Sequence, residues 1–229
     1  MKVVARVLYG SQNYYLDGPD SDYDYKLLML PEFEDFYNYH KVDKKDLPPY
    51  YDPEHYTVMS VLTFDKNLRN GNVNALELLF SRDFVVYDGL HLRQYLSVAD
   101  EAFYNGYLGV VWDEFLRTVE GMMKNSLERY GVNRKSASRA QFLLDFMAYV
   151  AEHNFVVDFT TWGSVCYRAR DIRYNTSKPL PTEESFFEKF EEVKEYTAVL
   201  HKDFSVSKDW EQKMKDTMKA LVFESLGGR

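Results

Sequence analysis

The chain has 229 residues, of which 45% are hydrophobic and 28% are charged, and its formal net charge at neutral pH is −8. This length is enough for one large domain or two small ones, and the negative charge argues against a general nucleic-acid binder. The single cysteine, Cys166, allows no internal disulfide. Together with the lack of a signal-peptide pattern and of any apolar run near the roughly 20 residues of a membrane span, it favours a cytoplasmic protein.

Two short apolar runs at residues 3–9 and 25–30 are rich in aliphatic and β-branched residues, and they predict strands. Gly10-Ser11 follows the first run, and a turn signal at residues 17–20 lies between the two. Side chains two residues apart on a strand point to the same face. The carboxylates of Asp22 and Asp24 are therefore expected to lie side by side.

This pair of carboxylates suggests a metal site. Two adjacent carboxylates repel each other unless a cation neutralises them, and Mg²⁺ takes one or two carboxylates together with substrate phosphates. The Gly10-Ser11 turn suits a phosphate, because glycine permits close backbone approach and the loop N–H groups and the serine hydroxyl donate hydrogen bonds. The pattern predicts a metal–nucleotide site; the alternative is an acidic surface hairpin.

The next segments complete an α/β part over residues 1–90. Residues 31–55 are rich in proline, tyrosine and acidic residues and predict an exposed insertion. A third strand is predicted at residues 55–60. A helix then begins at the N-cap Ser60 and ends at Gly71, and a second helix is predicted with Asn74 as its cap. A short strand follows at residues 84–87.

From about residue 91 the apolar residues follow a helical period, which predicts a helical part over residues 91–229. No linker rich in glycine, serine or proline separates it from the α/β part, so we expect the two to pack tightly. The predicted helices cover residues 92–105, 111–130, 136–153, 183–202 and 207–226.

Basic residues are concentrated in two segments of this acidic chain. Residues 117–139 carry four more basic than acidic side chains, and residues 161–178 carry three more. Lys135 and Arg139 are four residues apart and share one helix face. Such clusters suggest an anionic ligand, either a nucleoside triphosphate or an RNA end. The alternative is solvated helix faces paired with the acidic helix at residues 183–195.

The segment from Gly10 to Asp24 resembles the signature of the DNA polymerase β-like nucleotidyltransferase superfamily. It is most similar to a bacterial and phage branch of predicted nucleotidyltransferases, whose pattern is G-S-x-A-Y-G-L-x-x-P-x-S-D-x-D. Residues 71–80 match a second stretch of that branch, G-N-P-N-x-x-E-L-L-F, with Val73 where proline is usual. Asn13 and Tyr15 depart from the first pattern, which is matched by Gly10, Ser11, Tyr14, Leu16, Pro19, Ser21, Asp22 and Asp24.

The resemblance implies an α+β fold, a small mixed β-sheet palm with flanking helices, followed by a mainly helical part. It implies an enzyme that uses Mg²⁺ or Mn²⁺ to transfer a nucleoside monophosphate from an NTP, with ATP the first choice, to an acceptor hydroxyl. Asp22 and Asp24 would be the catalytic metal ligands, and Gly10, Ser11 and Ser21 would contact the nucleotide. Glu54, just before His55, is the candidate for the third catalytic acid of the superfamily.

The acceptor stays open at this point. An RNA 3′ end is one possibility. A protein hydroxyl is another, because the motif spacing also resembles that of nucleotidyltransferase antitoxins that adenylylate a partner. If neither Glu54 nor His55 reaches the metal, the chain is instead expected to bind a nucleotide without transferring it.

Overall fold

The fold combines a small mixed sheet with a large set of helices, which confirms the predicted fold class. The computed structural model describes residues 1–13, 16–18, 21–32, 34–35, 41–87, 89–158, 162–207 and 209–226. Three positions of the first motif, Tyr14, Tyr15 and Pro19, lie outside these residues. The strands are β1 (Lys2–Tyr9), β2 (Asp24–Leu30), β3 (Tyr56–Ser60) and β4 (Phe84–Val86), in the order β3-β2-β1-β4.

The strand register fixes which side chains share a face of the sheet. β1 pairs antiparallel with β2 and β4, whereas β2 and β3 are parallel. Side chains alternate between faces along each strand. One face, here called the helix face, carries the partners Tyr9 and Asp24, and then Lys26 and Thr57. The opposite face, here called the tyrosine face, carries Tyr25 and the other strand residues whose side chains point away from the helix face.

The described residues form ten helices and one short 3-10 turn at Lys44–Asp46. The first two helices follow β3, and the remaining eight follow β4. Their bounds are α1 Val61–Arg69, α2 Val73–Leu79, α3 Leu90–Tyr104, α4 Tyr107–Val110, α5 Trp112–Tyr130, α6 Arg134–Glu152, α7 Trp162–Val165, α8 Tyr167–Tyr174, α9 Glu183–His201 and α10 Asp209–Ser225.

Capping side chains explain where the first two helices begin. Ser60 caps α1 as predicted, because its hydroxyl accepts a hydrogen bond from the Leu62 N–H at 3.1 Å. Gly71, with φ at +65°, follows the last turn of α1 as predicted. The predicted cap of α2 was wrong by two residues: Asn72, not Asn74, caps this helix by accepting from the Asn74 N–H.

The long helices of the second part agree with the sequence prediction to within a few residues, but the short helices α4, α7 and α8 were not predicted. The helices α4 and α7 have only four residues each, and α8 buries only Ala169. Such short or sparsely buried segments carry no apolar period that a sequence pattern can detect. Thr182 caps α9, because its hydroxyl accepts a hydrogen bond from the Ser185 N–H at 3.2 Å.

The α/β part and the helical part share one hydrophobic core, which confirms that they pack tightly. Buried residues from β1 and β2 belong to the same cluster as residues from α5, α6 and α10. At Gly71, a side chain would meet Leu108, Val111 and Phe115 at 3.0–3.2 Å, so the helices approach closely there. Among the described residues, no helix is both long and apolar enough to cross a lipid bilayer.

Candidate functional site

The Gly10-Ser11 turn lies at the end of β1, directly beside Asp24 at the start of β2. Gly10 has φ at +82°, a conformation that other residues rarely adopt, and an added Cβ would lie 3.2 Å from Asp24 Oδ2. The Asp24 carboxylate therefore lies so close to the Gly10 backbone that a side chain at this position would crowd it. The Ser11 hydroxyl has no hydrogen-bond partner among the described residues, so it is available to a ligand.

A buried carboxylate holds this turn from below. Glu77 on α2 is 2% exposed, and its side chain accepts a hydrogen bond from the Gly10 N–H. The Asn13 amide donates to the Glu77 carbonyl at 3.0 Å, and its oxygen accepts from the Arg82 N–H at 3.2 Å. The position where this chain departs from the branch pattern, Asn13, thus links the turn to α2. In the sequence, Glu77 is a residue of the second stretch that resembles the branch and follows the predicted cap Asn74 by three positions, but neither pattern predicts its contact with the turn.

Ser21, predicted to contact the nucleotide, instead closes the loop between β1 and β2. Its hydroxyl accepts a hydrogen bond from the Gly18 N–H at 2.9 Å, and its carbonyl accepts from the Gln12 side chain at 3.0 Å. It does not line the cleft described below. Its contribution is to the shape of the loop.

A cleft of about 410 Å³ opens between the sheet and the helical part. This volume lies in the range of small-molecule sites. Five of the eight predicted site residues line it: Gly10, Ser11, Asp24, Lys135 and Arg139. The cleft therefore joins residues more than 100 positions apart in the sequence. The remaining lining residues are Leu16, Ser126, Tyr130, Asn133, Ser136, Phe142 and Arg173.

The amino end of α6 delivers Lys135 and Arg139 to this cleft. Asn133 caps the helix by accepting from the N–H groups of Lys135 and Ser136 at 2.9 Å. Arg139 donates to the side-chain oxygen of Asn74 on α2 at 3.0 Å, so this cation is fixed against the α/β part. Lys135 is exposed and forms no ion pair with a described residue.

Arg173, on α8, is a third cation of the cleft, and the sequence singled it out only as part of a basic segment. The guanidinium of Arg134 donates to four backbone carbonyls at and after the end of α8, those of Ile172, Asn175, Thr176 and Lys178. Tyr174 then donates to the Leu16 carbonyl at 2.6 Å. These bonds hold α8 against α6 and the loop, and Arg173 has no carboxylate partner among the described residues.

The electrostatic balance of the cleft favours an anionic ligand. Lys135, Arg139 and Arg173 contribute three positive charges, and Asp24 is the carboxylate that lines the cleft with them. The second predicted acid, Asp22, is exposed, precedes β2 by two residues and does not line the cleft. A polyphosphate with a bound cation matches this mixture of charges.

The third predicted acid does not join the first two. Glu54 is exposed in the turn before β3, where its N–H donates to Asp52 Oδ1 at 2.9 Å. The parallel pairing of β3 with β2 begins at Tyr56, which pairs with Tyr25, so Glu54 and His55 lie before the strand. The His55 ring lies beside Asp52, 3.9 Å from its carboxylate. The expectation that Glu54 lies within a few ångströms of both aspartates is not met.

Among the residues that the structure describes, no three His, Cys, Asp or Glu side chains are grouped so as to hold a metal ion. A Mg²⁺ ion nevertheless fits two carboxylates, because it commonly binds through one or two of them and completes its shell with waters and phosphate oxygens. Asp24, which faces the Gly10 turn inside the cleft, would supply one of these carboxylates, and Asp22, two residues away and outside the cleft lining, is the candidate for the second.

Comparisons with protein-family models, with curated proteins and with solved structures gave no significant match for this chain. The resemblance described above therefore depends on its motif residues and on the cleft that brings part of them together.

Proposed function

We propose that the cleft binds a nucleoside triphosphate and that the protein is a metal-dependent nucleotidyltransferase. The observation that supports this function is the meeting of Gly10, Ser11 and Asp24 with Lys135, Arg139 and Arg173 around one cleft. A turn with free donors, a carboxylate and three cations is the set of groups that phosphoryl-type transfer requires, because this chemistry depends on positioning and charge stabilisation.

Each group has a role in this proposal. The N–H group and the hydroxyl of Ser11 hold the β- and γ-phosphates, because the Gly10 N–H already donates to Glu77. Lys135 and Arg173, which have no ion-pair partner among the described residues, neutralise the triphosphate. The acceptor hydroxyl oxygen attacks the α-phosphorus, the bond to the bridging oxygen of the β-phosphate breaks, pyrophosphate leaves, and the hydroxyl proton passes to water.

Asp24 and Asp22 would hold the divalent cation, Mg²⁺ or Mn²⁺. When bound, such a cation supplies positive charge that offsets the charge of the phosphates and of the two carboxylates. Without it, the Asp24 carboxylate faces the triphosphate directly. We therefore expect ATP affinity to fall sharply when the divalent cation is removed with EDTA.

A specific observation favours one second candidate, a protein that binds the nucleotide without transferring it. Glu54 is exposed in the turn before β3, and the described carboxylates include no group of three that could hold a metal ion. Binding needs only the cleft, whereas transfer also needs an activated acceptor. The two candidates predict the same ATP affinity and differ in turnover.

The experiment combines a binding arm and a transfer arm on the same variants. Lys135→Gln together with Arg173→Gln removes two unpaired cleft cations. We expect each to contribute roughly tenfold to ATP affinity, so the double variant should bind about 100-fold more weakly by calorimetry in the presence of Mg²⁺. Transfer is followed with NTPs labelled at the α-phosphate, incubated with total RNA and separately with lysate protein.

The matched control removes the same charge from a neighbouring helix. Arg117→Gln with Lys124→Gln eliminates two exposed cations of α5 that pair with Glu114 and Glu128 and do not line the cleft. This control should leave ATP affinity within about twofold of the wild-type value, since exposed ion pairs outside the cleft contribute little free energy. Equal affinity of both double variants would exclude the cleft as the nucleotide site, and ATP binding with no labelled product would favour the second candidate.

A further inference from the structure

A second cavity, of about 250 Å³, lies on the helix face of the sheet next to the candidate cleft. Three pairs of residues show that this cavity lies close to the cleft. Tyr9 precedes Gly10, Lys26 follows Asp24 by two residues on the same face, and Asn74 accepts the hydrogen bond from Arg139. Its lining residues are Tyr9, Lys26, Met59, Asn67, Asn72, Asn74, Glu77 and Leu78.

The cavity is rich in hydrogen-bond donors without partners. The Lys26 ammonium lies 4.7 Å from the centre of the Tyr9 ring and makes no hydrogen bond or ion pair with a described residue. The amide NH₂ groups of Asn67, Asn72 and Asn74 also donate to no described residue. Asn74 is exposed, whereas Lys26, Asn67 and Asn72 are half-buried, and half-buried donors cost free energy unless water or a ligand satisfies them. A ligand for this cavity should therefore present oxygen atoms.

Charge decides which oxygen-bearing group fits. The positive charge of Lys26 is offset by the negative charge of Glu77, so the lining is neutral overall. Asp24, two residues from Lys26, adds a negative charge at the edge of the cavity. Burial lowers the pKa of Lys26, and the Glu77 charge opposes this. These two carboxylates would repel a phosphate, whereas they would not repel neutral hydroxyl groups.

We propose that this cavity binds a sugar or polyol with neighbouring hydroxyl groups, and that it is the acceptor subsite of the protein. The amides of Asn67, Asn72 and Asn74 and the Lys26 ammonium would donate to the hydroxyl oxygens, and Glu77 and Tyr9 would border the ring. The cavity, of about 250 Å³, is large enough for one sugar ring. The role as acceptor rests on the proposed function; the binding of a diol does not.

The binding test needs neither ATP nor metal. Methyl β-ribofuranoside is titrated into the protein by ligand-observed NMR, where a ligand of this size is expected to bind in the millimolar range. Lys26→Met preserves the length of the side chain and should weaken binding about tenfold. Asn67→Ala is a second variant and should weaken it about fivefold. Lys66→Met, an exposed lysine of α1 outside the cavity, should leave binding unchanged.

Two further probes separate the possible ligands. Methyl 2-deoxyribofuranoside lacks one of the neighbouring hydroxyls and should bind more weakly than the riboside. If the riboside does not bind, or binds equally to wild type, Lys26→Met and Asn67→Ala, the inference is wrong. It is also wrong if inorganic phosphate binds in its place and loses affinity in Lys26→Met.

Competition identifies the source of the diol. A short oligoribonucleotide that displaces the riboside, while the same oligomer with a 3′-terminal deoxynucleotide does not, would assign the cavity to an RNA 3′ end. Displacement by neither would assign it to a free sugar or polyol. With Mg²⁺ and ATP present, riboside binding without transfer would count against the proposed function alone. Transfer that is insensitive to Lys26→Met and Asn67→Ala would count against the subsite alone.

Discussion

The two faces of the sheet differ in how completely their polar groups are paired. On the tyrosine face, Tyr25 and Tyr56 stack with ring centres 5.5 Å apart, and Tyr51 lies 4.7 Å from Tyr56. The Arg6 guanidinium lies 4.6 Å from the centre of the Tyr25 ring and pairs with Asp83, although its buried Nε has no hydrogen-bond partner among the described residues. Burial, together with a hydrogen bond to Tyr87, raises the pKa of Tyr51 to about 12, so this hydroxyl remains protonated at neutral pH. Most polar side chains of this face thus contact one another.

On the helix face and at its edge, several polar groups lack partners. The Ser11 hydroxyl, the Lys26 ammonium and the Lys135 ammonium make no side-chain hydrogen bond or ion pair with a described residue. All three line one of the two adjoining cavities. Unpaired polar groups next to a cavity cost stability, which is the expected signature of a surface shaped for a ligand. The tyrosines clustered on the tyrosine face contact one another, whereas the two cavities that could hold a ligand lie on the helix face and at its edge.

The largest expected effect is that of Asp24→Asn, which tests the helix face directly. Removing the carboxylate that lies against the Gly10 turn should reduce transfer by roughly 10³-fold, comparable to the loss of a preorganised electrostatic group. The fold should survive, because asparagine has nearly the same size. Initial rates with labelled ATP and thermal unfolding are measured together. Asp52→Asn, an exposed acid near β3, is the control and should keep full activity.

An intermediate effect is expected from Glu77, which supports the helix face from below. Glu77→Leu leaves the Gly10 N–H without its acceptor, which should lower the free energy of unfolding by about 1–3 kcal/mol. Glu77→Gln retains an acceptor oxygen and should cost less. Denaturant unfolding measures both, and Glu120→Leu on the exposed side of α5 is the control. If Glu77→Leu is as stable as wild type, the carboxylate does not hold the turn.

The sequence was sufficient where the information is local. Turn residues, apolar runs and caps predicted the strands around Gly10-Ser11, the helix after Ser60 and the long helices of the second part. These features depend on neighbours within a few residues, so a single sequence reveals them.

The contacts that build the site are long-range, and most could not be predicted. Glu77 meets Gly10 across 67 positions, and Arg173 lies on α8, whose end is held by hydrogen bonds from Arg134. Lys135 and Arg139 were found because they share one helix face and stand out in an acidic chain. Glu54 was chosen from its nearness in sequence to the expected position, whereas the structure has it exposed in the turn before β3.

The smallest effect on transfer and on ATP affinity is expected from Glu54→Gln. Glu54 is exposed in the turn before β3 and does not line the cleft, whereas Asp24 does. An exposed carboxylate of this kind is screened by solvent. We expect transfer rates and ATP affinity to stay within about twofold of wild type, since exposed side chains away from a site have small effects.

A fall in the transfer rate of 10²-fold or more, the range typical of losing a positioned acid or base, would mean that the turn before β3 rearranges to bring Glu54 beside Asp24. Measuring the same variant with excess Mg²⁺ distinguishes the two cases, because a lost metal ligand is partly compensated by more metal and an unaffected enzyme shows no change.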